Sequence, residues 1–283
     1  MPAPFQASAN ALFHTEVQRV VRLSPGFLRV TLTGARLNQF ATHGLDQRIK
    51  ILVPTSPIPA VLDDELLHES EWRRRWRDLS PSDRPALRSY TTSAVRPDLR
   101  EIDLDFYVHA RPGPASSWAV TARAGQRLLV SGPHSRLSTR PHGIQWSPGA
   151  ATQVLLAGDE TAYPAIRGIL AALPPSIRST VVLEVGDPAD ADWLTREFPE
   201  RPMTVHVRDP SHDRSALLSA VADWTPGAGA PAAGLGAAFY AWLATESGRV
   251  AQLRDLLHRV GIAPAQVHSQ GYWNERPRGG PRA

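Results

Sequence analysis

The feature that most constrains the fold is a change of hydrophobic period near the middle of the 283-residue chain. Before that point, short segments alternate apolar and polar residues. In Phe27–Thr33, Leu28, Val30 and Leu32 alternate with Arg29 and Thr31. In Arg48–Val53, Ile49, Ile51 and Val53 share one face, and Arg48 and Lys50 the other. In 103–109, Leu104, Phe106 and Val108 oppose Asp105, Tyr107 and His109, and 127–130 is a further short strand. A period of two marks a half-buried strand, and several such strands split by Pro and Gly predict a β-barrel or sandwich. Residues 62–79 interrupt the pattern. They are charged and carry Trp72 and Trp76 one helical turn apart, which predicts a helical insertion packing its tryptophans on the barrel and ended by Pro81 and Pro85.

Beyond a Pro- and Gly-containing linker at 138–152, strands and helices alternate. Strands are expected at 154–157, 180–185, 203–207, 239–244 and 267–272, with helices at 164–173, 191–198, 215–223 and 246–260. That rhythm predicts a parallel sheet covered on both faces. The Gly/Ala/Pro-rich stretch 226–236 reads as a flexible loop. The expected division is 1–147 and 148–283.

Composition narrows the chemistry. There is no cysteine, which removes disulfides, thiolate zinc sites, cysteine-ligated iron–sulfur clusters and cysteine nucleophiles. Redox work therefore requires a bound cofactor. The net charge of +4 suits an anionic ligand, but the arginines are scattered and not gathered in a nucleic-acid stripe. No apolar run approaches the ~20 residues of a membrane helix. The first residues lack the pattern of a secretory signal, so the expected location is the cytoplasm.

Three segments carry candidate chemistry. The first is Arg88, Ser89, Tyr90, Thr91 and Thr92 on one strand, with Arg88, Tyr90 and Thr92 on one face. An arginine fork suits a pyrophosphate and a tyrosine can cover a flat ring; the alternative is an edge strand with an exposed arginine. The second runs from His109 through a Pro/Gly turn to Ala115, Ser116, Ser117 and Trp118. A serine there can cap a short helix reaching about residue 124, whose start would bind an anion; an ordinary capped helix is the alternative. The third, 157–164, contains Asp159, Glu160 and Thr161 at the carboxyl end of the first α/β strand, where parallel sheets bind ligands. Its two acids would repel a pyrophosphate, so this loop is expected to meet a neutral part of a nicotinamide.

Together these segments resemble the siderophore-interacting protein family, flavin-dependent ferric-siderophore reductases of the ferredoxin-reductase-like superfamily. The resemblance rests on R-x-Y-T at Arg88, Tyr90 and Thr91, and on D-F-x-x-H at Asp105, Phe106 and His109. It continues in G-P-A-S-x-W from Gly113 to Trp118, A-G-D-E-T-A-x-P-A-I from Ala157 to Ile166, and G-Y-W at Gly271, Tyr272 and Trp273. It implies an FAD-binding β-barrel over 1–147 and an α/β NAD(P)H-binding domain over 148–283. FAD contacts would be Arg88, Ser89, Tyr90, Thr91, His109, Ala115, Ser116 and Trp118. NADPH or NADH would dock near Asp159, Glu160 and Thr161. The flavin would take a hydride from the nicotinamide and pass single electrons to ferric iron, which its chelator already ligates, so no protein metal ligand is expected.

Anionic ferric siderophores make Arg48, Lys50 and Arg208 candidate substrate contacts, with His206 and His212 near the last; a solvated strand face is the alternative for Arg48 and Lys50. Arg208 or Arg214 could favour a 2′-phosphate. The chain departs from the family pattern at Ser93, Ala110, Thr245 and the Asn274-Glu275 tail. Thr245 stands where relatives have glycine, adding bulk where a cofactor could approach. Thr245 and the tail keep open a ferredoxin-like protein as electron donor. A non-catalytic siderophore- or flavin-binding protein is the third reading.

Overall fold

The computed structural model describes residues 9–54, 57–63, 67–137, 143–209, 211 and 215–275. Two compact units are present: Phe27–Ile144 with the residues preceding Ser24, and Gln145 onward with Ser24–Gly26.

The first unit contains β1 (Asn10–Arg22), β2 (Phe27–Thr33), β3 (Arg48–Val53), β4 (Leu67–His68), α1 (Glu69–Asp78), β5 (Ala86–Thr91), β6 (Ala94–Arg96), β7 (Glu101–Tyr107), α2 (Pro114–Thr121) and β8 (Arg127–Pro133). Its eight strands form one antiparallel sheet in the order β5-β3-β8-β1-β2-β7-β6, with β4 on β1. The sheet curls into a half-barrel, bringing Tyr90 of β5 onto Phe106 of β7 with ring centroids 4.5 Å apart. The alternating residues read from sequence line its inside: Ile49, Ile51 and Val53 meet Val30, Leu32, Leu104 and Phe106. On the other face of β2 and β7, Arg29 donates twice to Asp105 at 2.7 and 2.8 Å, and Thr31 donates to the buried Asp103 at 2.7 Å.

The alternation fails at Leu12, Leu52 and Leu129 for one reason. These residues point outward, and α1 roofs them with the fully buried Trp72. The tryptophans thus pack as expected, although the helix proper is Glu69–Asp78 and shorter than 62–79. The strand read as 103–109 is Glu101–Tyr107, which leaves His109 in the following turn.

The second unit contains β9 (Gln153–Asp159), α3 (Tyr163–Ala172), β10 (Arg178–Val185), α4 (Pro188–Glu197), β11 (Thr204–Val207), α5 (Ala216–Trp224), α6 (Ala230–Gly234), β12 (Phe239–Glu246), α7 (Ser247–Arg259) and β13 (Val267–Trp273). The sheet is parallel in the order β11-β10-β9-β12-β13, so the chain reverses its winding between β9 and β12. β9 is buried from Val154 through Asp159, as a strand covered on both faces must be. Leu217 and Val221 of α5 and Leu253 and Leu257 of α7 cover one face with Leu155, Ala157 and Leu243. The expected loop at 226–236 is instead largely helical, a π turn over Thr225–Gly229 leading into α6. Its alanines favour helix, and Ala232 is buried against the core.

Candidate functional site

In the first unit, β5 is an edge strand, and register decides what each of its side chains faces. Tyr90 pairs with Ile49 and Arg88 with Ile51, which places both on the inner face of the curled sheet. Because β5 is the edge, Arg88 reaches solvent there; its Nη1 donates to the carbonyl of neighbouring Leu87 at 2.9 Å. Tyr90 is half-buried on Phe106, which in turn packs on Trp118 at 5.8 Å. Burial raises the Tyr90 phenol well above its ordinary range, so it stays neutral and can donate. His109 stands edge-on to Tyr107 at 4.8 Å.

Helix α2 packs against β5 and β3. Gly113 is its N-cap and no side chain caps it. The expectation of a serine cap is therefore corrected: Ser116 lies inside the first turn, and its hydroxyl donates to the Tyr107 carbonyl at 2.9 Å. The helix also ends at Thr121, short of residue 124. Pro114 has no N–H, so the first turn offers the N–H groups of Ala115 and Ser116. An exposed arginine fork, two free N–H donors and an aromatic shelf fit the pyrophosphate and ring of FAD.

Arg48 and Lys50 behave differently. Lys50 pairs with Ser89 and contacts its hydroxyl, on the face opposite Arg88 and Tyr90. Burial lowers the Lys50 ammonium, with Arg48 and Arg73 adding repulsion and Glu69 opposing them. Strand alternation therefore divides the proposed basic substrate pair from the Arg88–Tyr90 face, with Arg48 and Lys50 on the side of α1.

In the second unit, the site lies at the carboxyl ends of β9 and β12, where the winding reverses. The expected loop is a strand running through Asp159 and then a single 3₁₀ turn, Glu160–Ala162. Gly158 is required by close approach: a Cβ would meet the Ala162 Cβ at 2.5 Å and the Ala244 carbonyl oxygen at 2.6 Å. Asp159 is fully buried. It accepts the Thr161 N–H at 2.9 Å, the Thr161 hydroxyl, the Thr245 hydroxyl at 2.7 Å and the Trp273 indole N–H at 2.8 Å. It thereby ties β9 to β12 and β13. Thr245 is fully buried and turned onto Asp159, so its bulk faces inward and not toward a ligand.

Glu160 is 2% exposed, and its Oε2 accepts from Arg208 at 3.1 Å while Oε1 has no partner. Burial, then the neighbouring Asp159, pushes the Glu160 carboxyl up to about 7 against the pull of Arg208. Arg208 also donates to Glu184 at 2.8 Å. Glu184 takes further donors from Ser215 at 2.6 Å, Leu217 N–H at 2.8 Å and Arg249 at 3.3 Å. Burial opposes ionisation of Glu184, but these donors outweigh it and hold the carboxyl below its ordinary range. Sequence reasoning missed Glu184, Ser215 and Arg249. The available signal was a lone carboxylate in the apolar run Val181-Val182-Leu183-Glu184-Val185. His212 and Arg214 lie outside the described residues. Among the described residues no group of His, Asp or Glu could hold a metal ion, and no helix is long and apolar enough to cross a membrane.

Known proteins match this two-part arrangement. A siderophore-interacting FAD-binding domain matches residues 16–137, and a siderophore-interacting protein domain matches residues 151–276. The chain belongs to the siderophore-interacting protein family. An uncharacterised protein of Mycobacterium tuberculosis is 31% identical over 235 residues, covering 75% of each chain. The ferric vibriobactin reductase ViuB of Vibrio cholerae is 29% identical over 259 residues, covering 89% of this chain and 85% of ViuB. The mycobactin import ATP-binding/permease protein IrtA of Mycolicibacterium smegmatis is 32% identical over 223 residues. That match covers 77% of this chain but only 23% of IrtA, so this chain corresponds to about a quarter of that relative. A solved siderophore utilization protein from T. fusca superposes with a TM-score of 0.72 at 25% identity, over 97% of this chain and 96% of that one. Ferredoxin reductases share the fold at lower identity.

Proposed function

We propose that this chain is a cytoplasmic flavoenzyme that uses NAD(P)H and FAD to reduce a ferric siderophore and release ferrous iron. The observation that carries the reading is the pairing, on one edge of the half-barrel, of the solvent-exposed Arg88 fork and the half-buried Tyr90 with the first turn of α2, which no side chain caps. Likeness to ViuB over most of both chains supports the reductase activity.

In this reading Arg88 and the N–H groups of Ala115 and Ser116 hold the FAD pyrophosphate. Tyr90 covers the ring, aided by Trp118 and His109, while Ser89 and Thr91, on the other face of β5 with Arg48 and Lys50, act through the strand and not on the ring. Bound FAD supplies the conversion of a two-electron donor into one-electron steps. A nicotinamide docks at the ends of β9 and β12. Asp159 acts as a positioning residue, since its oxygens already bind four donors of the chain, while the half-buried Thr161 stands at the strand ends beside it. The siderophore remains the iron's ligand throughout. Arg48 and Lys50 stay candidate contacts for an anionic chelate only on the α1 side of β3. Arg208 is a weaker one, since two carboxylates already hold it.

The test is ferrous trapping. FAD-loaded protein, a nicotinamide and a panel of ferric siderophores are mixed with a ferrous-specific chromophore under anaerobic conditions. Trapping that depends on both protein and FAD is expected. No acceleration with any siderophore and either nicotinamide would reject the reading.

A further inference from the structure

We infer that the turn at 43–46 is the end wall of the flavin site, where Leu45 meets the edge of the ring and the buried Gln47 is the positioning residue behind it. The inference rests on the reading that Arg88 and α2 hold the FAD pyrophosphate and Tyr90 covers the ring. On the inner face of β5 these contacts come in the order Arg88, then Tyr90. The next inward position is Thr92, so a ring seated on Tyr90 points its far edge toward Thr92.

The connection between β2 and β3 closes that end of the sheet. Phe40 lies inside the half-barrel, its ring 5.0 Å from that of Phe13, and it covers Gly132 of β8 so closely that a Cβ there would strike it. The Ala41 N–H then donates to the Pro133 carbonyl at 2.8 Å. Gln47 is fully buried and extends the ladder one step beyond β3, because the Thr92 N–H donates to its carbonyl at 3.3 Å. Alternation puts its side chain on the face of Ile49, which is the inner one. There its Oε1 accepts the His43 N–H at 2.8 Å and its Nε2 donates to the Ala41 carbonyl at 2.9 Å. The Gln47 N–H donates to the Gly44 carbonyl at 3.1 Å. One glutamine thus straps the turn down beside Thr92, on the face that carries Arg88 and Tyr90.

The strapped turn has a costly shape. Gly44 and Leu45 stand in succession at φ 63° and 55°. Glycine accepts that left-handed conformation, but the Cβ of leucine crowds the following carbonyl. Asparagine or glycine at 45 would make the same turn with less strain. Leu45 is only half-buried, so packing within the chain does not account for a leucine there. Strain of this kind persists where surrounding bonds over-determine it, and it collects at ligand clamps. The bonds here are those of Gln47, and a half-open leucine offers the apolar surface that keeps water from the edge of a flat ring.

Leu45→Asn tests the inference, since asparagine accepts the left-handed turn. Titration of the unloaded full chain with FAD, followed by flavin fluorescence, should show roughly tenfold weaker binding, the worth of one partly buried leucine contact. The visible band of the bound flavin should lose its vibrational shoulders as water reaches the ring, a change that a purely structural role would not produce. Gln47→Leu removes the strap and should weaken FAD at least as much. The double variant should lose no more than Gln47→Leu alone, because both act through one turn. If Gln47→Leu does not fold, Leu45→Asn decides alone. Affinity within about twofold of the unmodified chain, with an unchanged band, in Leu45→Asn would overturn the inference and leave the FAD site standing. Failure of the unmodified chain to bind FAD would instead remove the FAD reading, and the inference with it.

Discussion

Replacing Asp159 by alanine should both destabilise the α/β unit and abolish nicotinamide docking. The carboxylate is fully buried and receives four donors, two from the ends of β12 and β13 and two from Thr161 of the following turn. Alanine leaves the buried Thr245 hydroxyl and the Trp273 indole N–H without an acceptor. The Thr161 donors lie nearer the surface and can turn to water. Two orphaned buried donors at ~1–3 kcal/mol each give a loss of about 2–6 kcal/mol. For a unit of this size, that lowers the thermal midpoint by roughly 10 °C. Calorimetry resolves the unit's transition, and the barrel transition serves as internal control. Asp159→Asn should cost about half as much, because the amide still accepts at one oxygen but sets its NH₂ against a donor. A change below about 1 kcal/mol in Asp159→Ala would refute the view that this residue is a structural hub and would return it to the ligand surface.

Other outcomes follow from the same geometry. Glu160 binds its proton more tightly folded, at about 7, than unfolded, so its contribution to stability is present at low pH and is lost as pH rises toward about 7. Glu160→Gln should flatten that slope in denaturant titrations run between pH 5 and pH 8 (about the two sides of the shift). Trp72→Ala should cost the barrel about 3–5 kcal/mol by opening a cavity under α1. Trp72→Phe should cost far less, since the indole N–H has no partner to lose; chemical denaturation compares the two. Arg88→Ala should weaken FAD binding by roughly 10- to 100-fold, the value of a charge-assisted phosphate contact, measured by flavin fluorescence.

The change of hydrophobic period made the two-part architecture legible, because strand alternation and the strand–helix rhythm reflect which faces are buried. What it hid was two-sided burial. β1 was not singled out, since Leu12 faces outward between the inward Ala11 and Phe13, and the outward position is apolar only because α1 covers it. Arg48 and Lys50 read as candidate substrate contacts because one strand's alternation gives two faces without saying which one the insertion takes. The Asp159–Glu160 motif was legible as a site, but its acids read as exposed charges. Their partners Thr245, Trp273 and Arg208 come from strands far along the chain. Thr245 read as an obstruction for the same reason: its hydroxyl's acceptor lies on another strand.

The most direct test of the central claim is an anaerobic visible spectrum of FAD-reconstituted protein, taken before and after NADH or NADPH and again after a ferric siderophore. The account predicts that one of the two nicotinamides bleaches the flavin band and that the siderophore restores it as ferrous iron is trapped. A band that NADH and NADPH both leave unchanged, or a bleached band that no ferric siderophore restores, would contradict it.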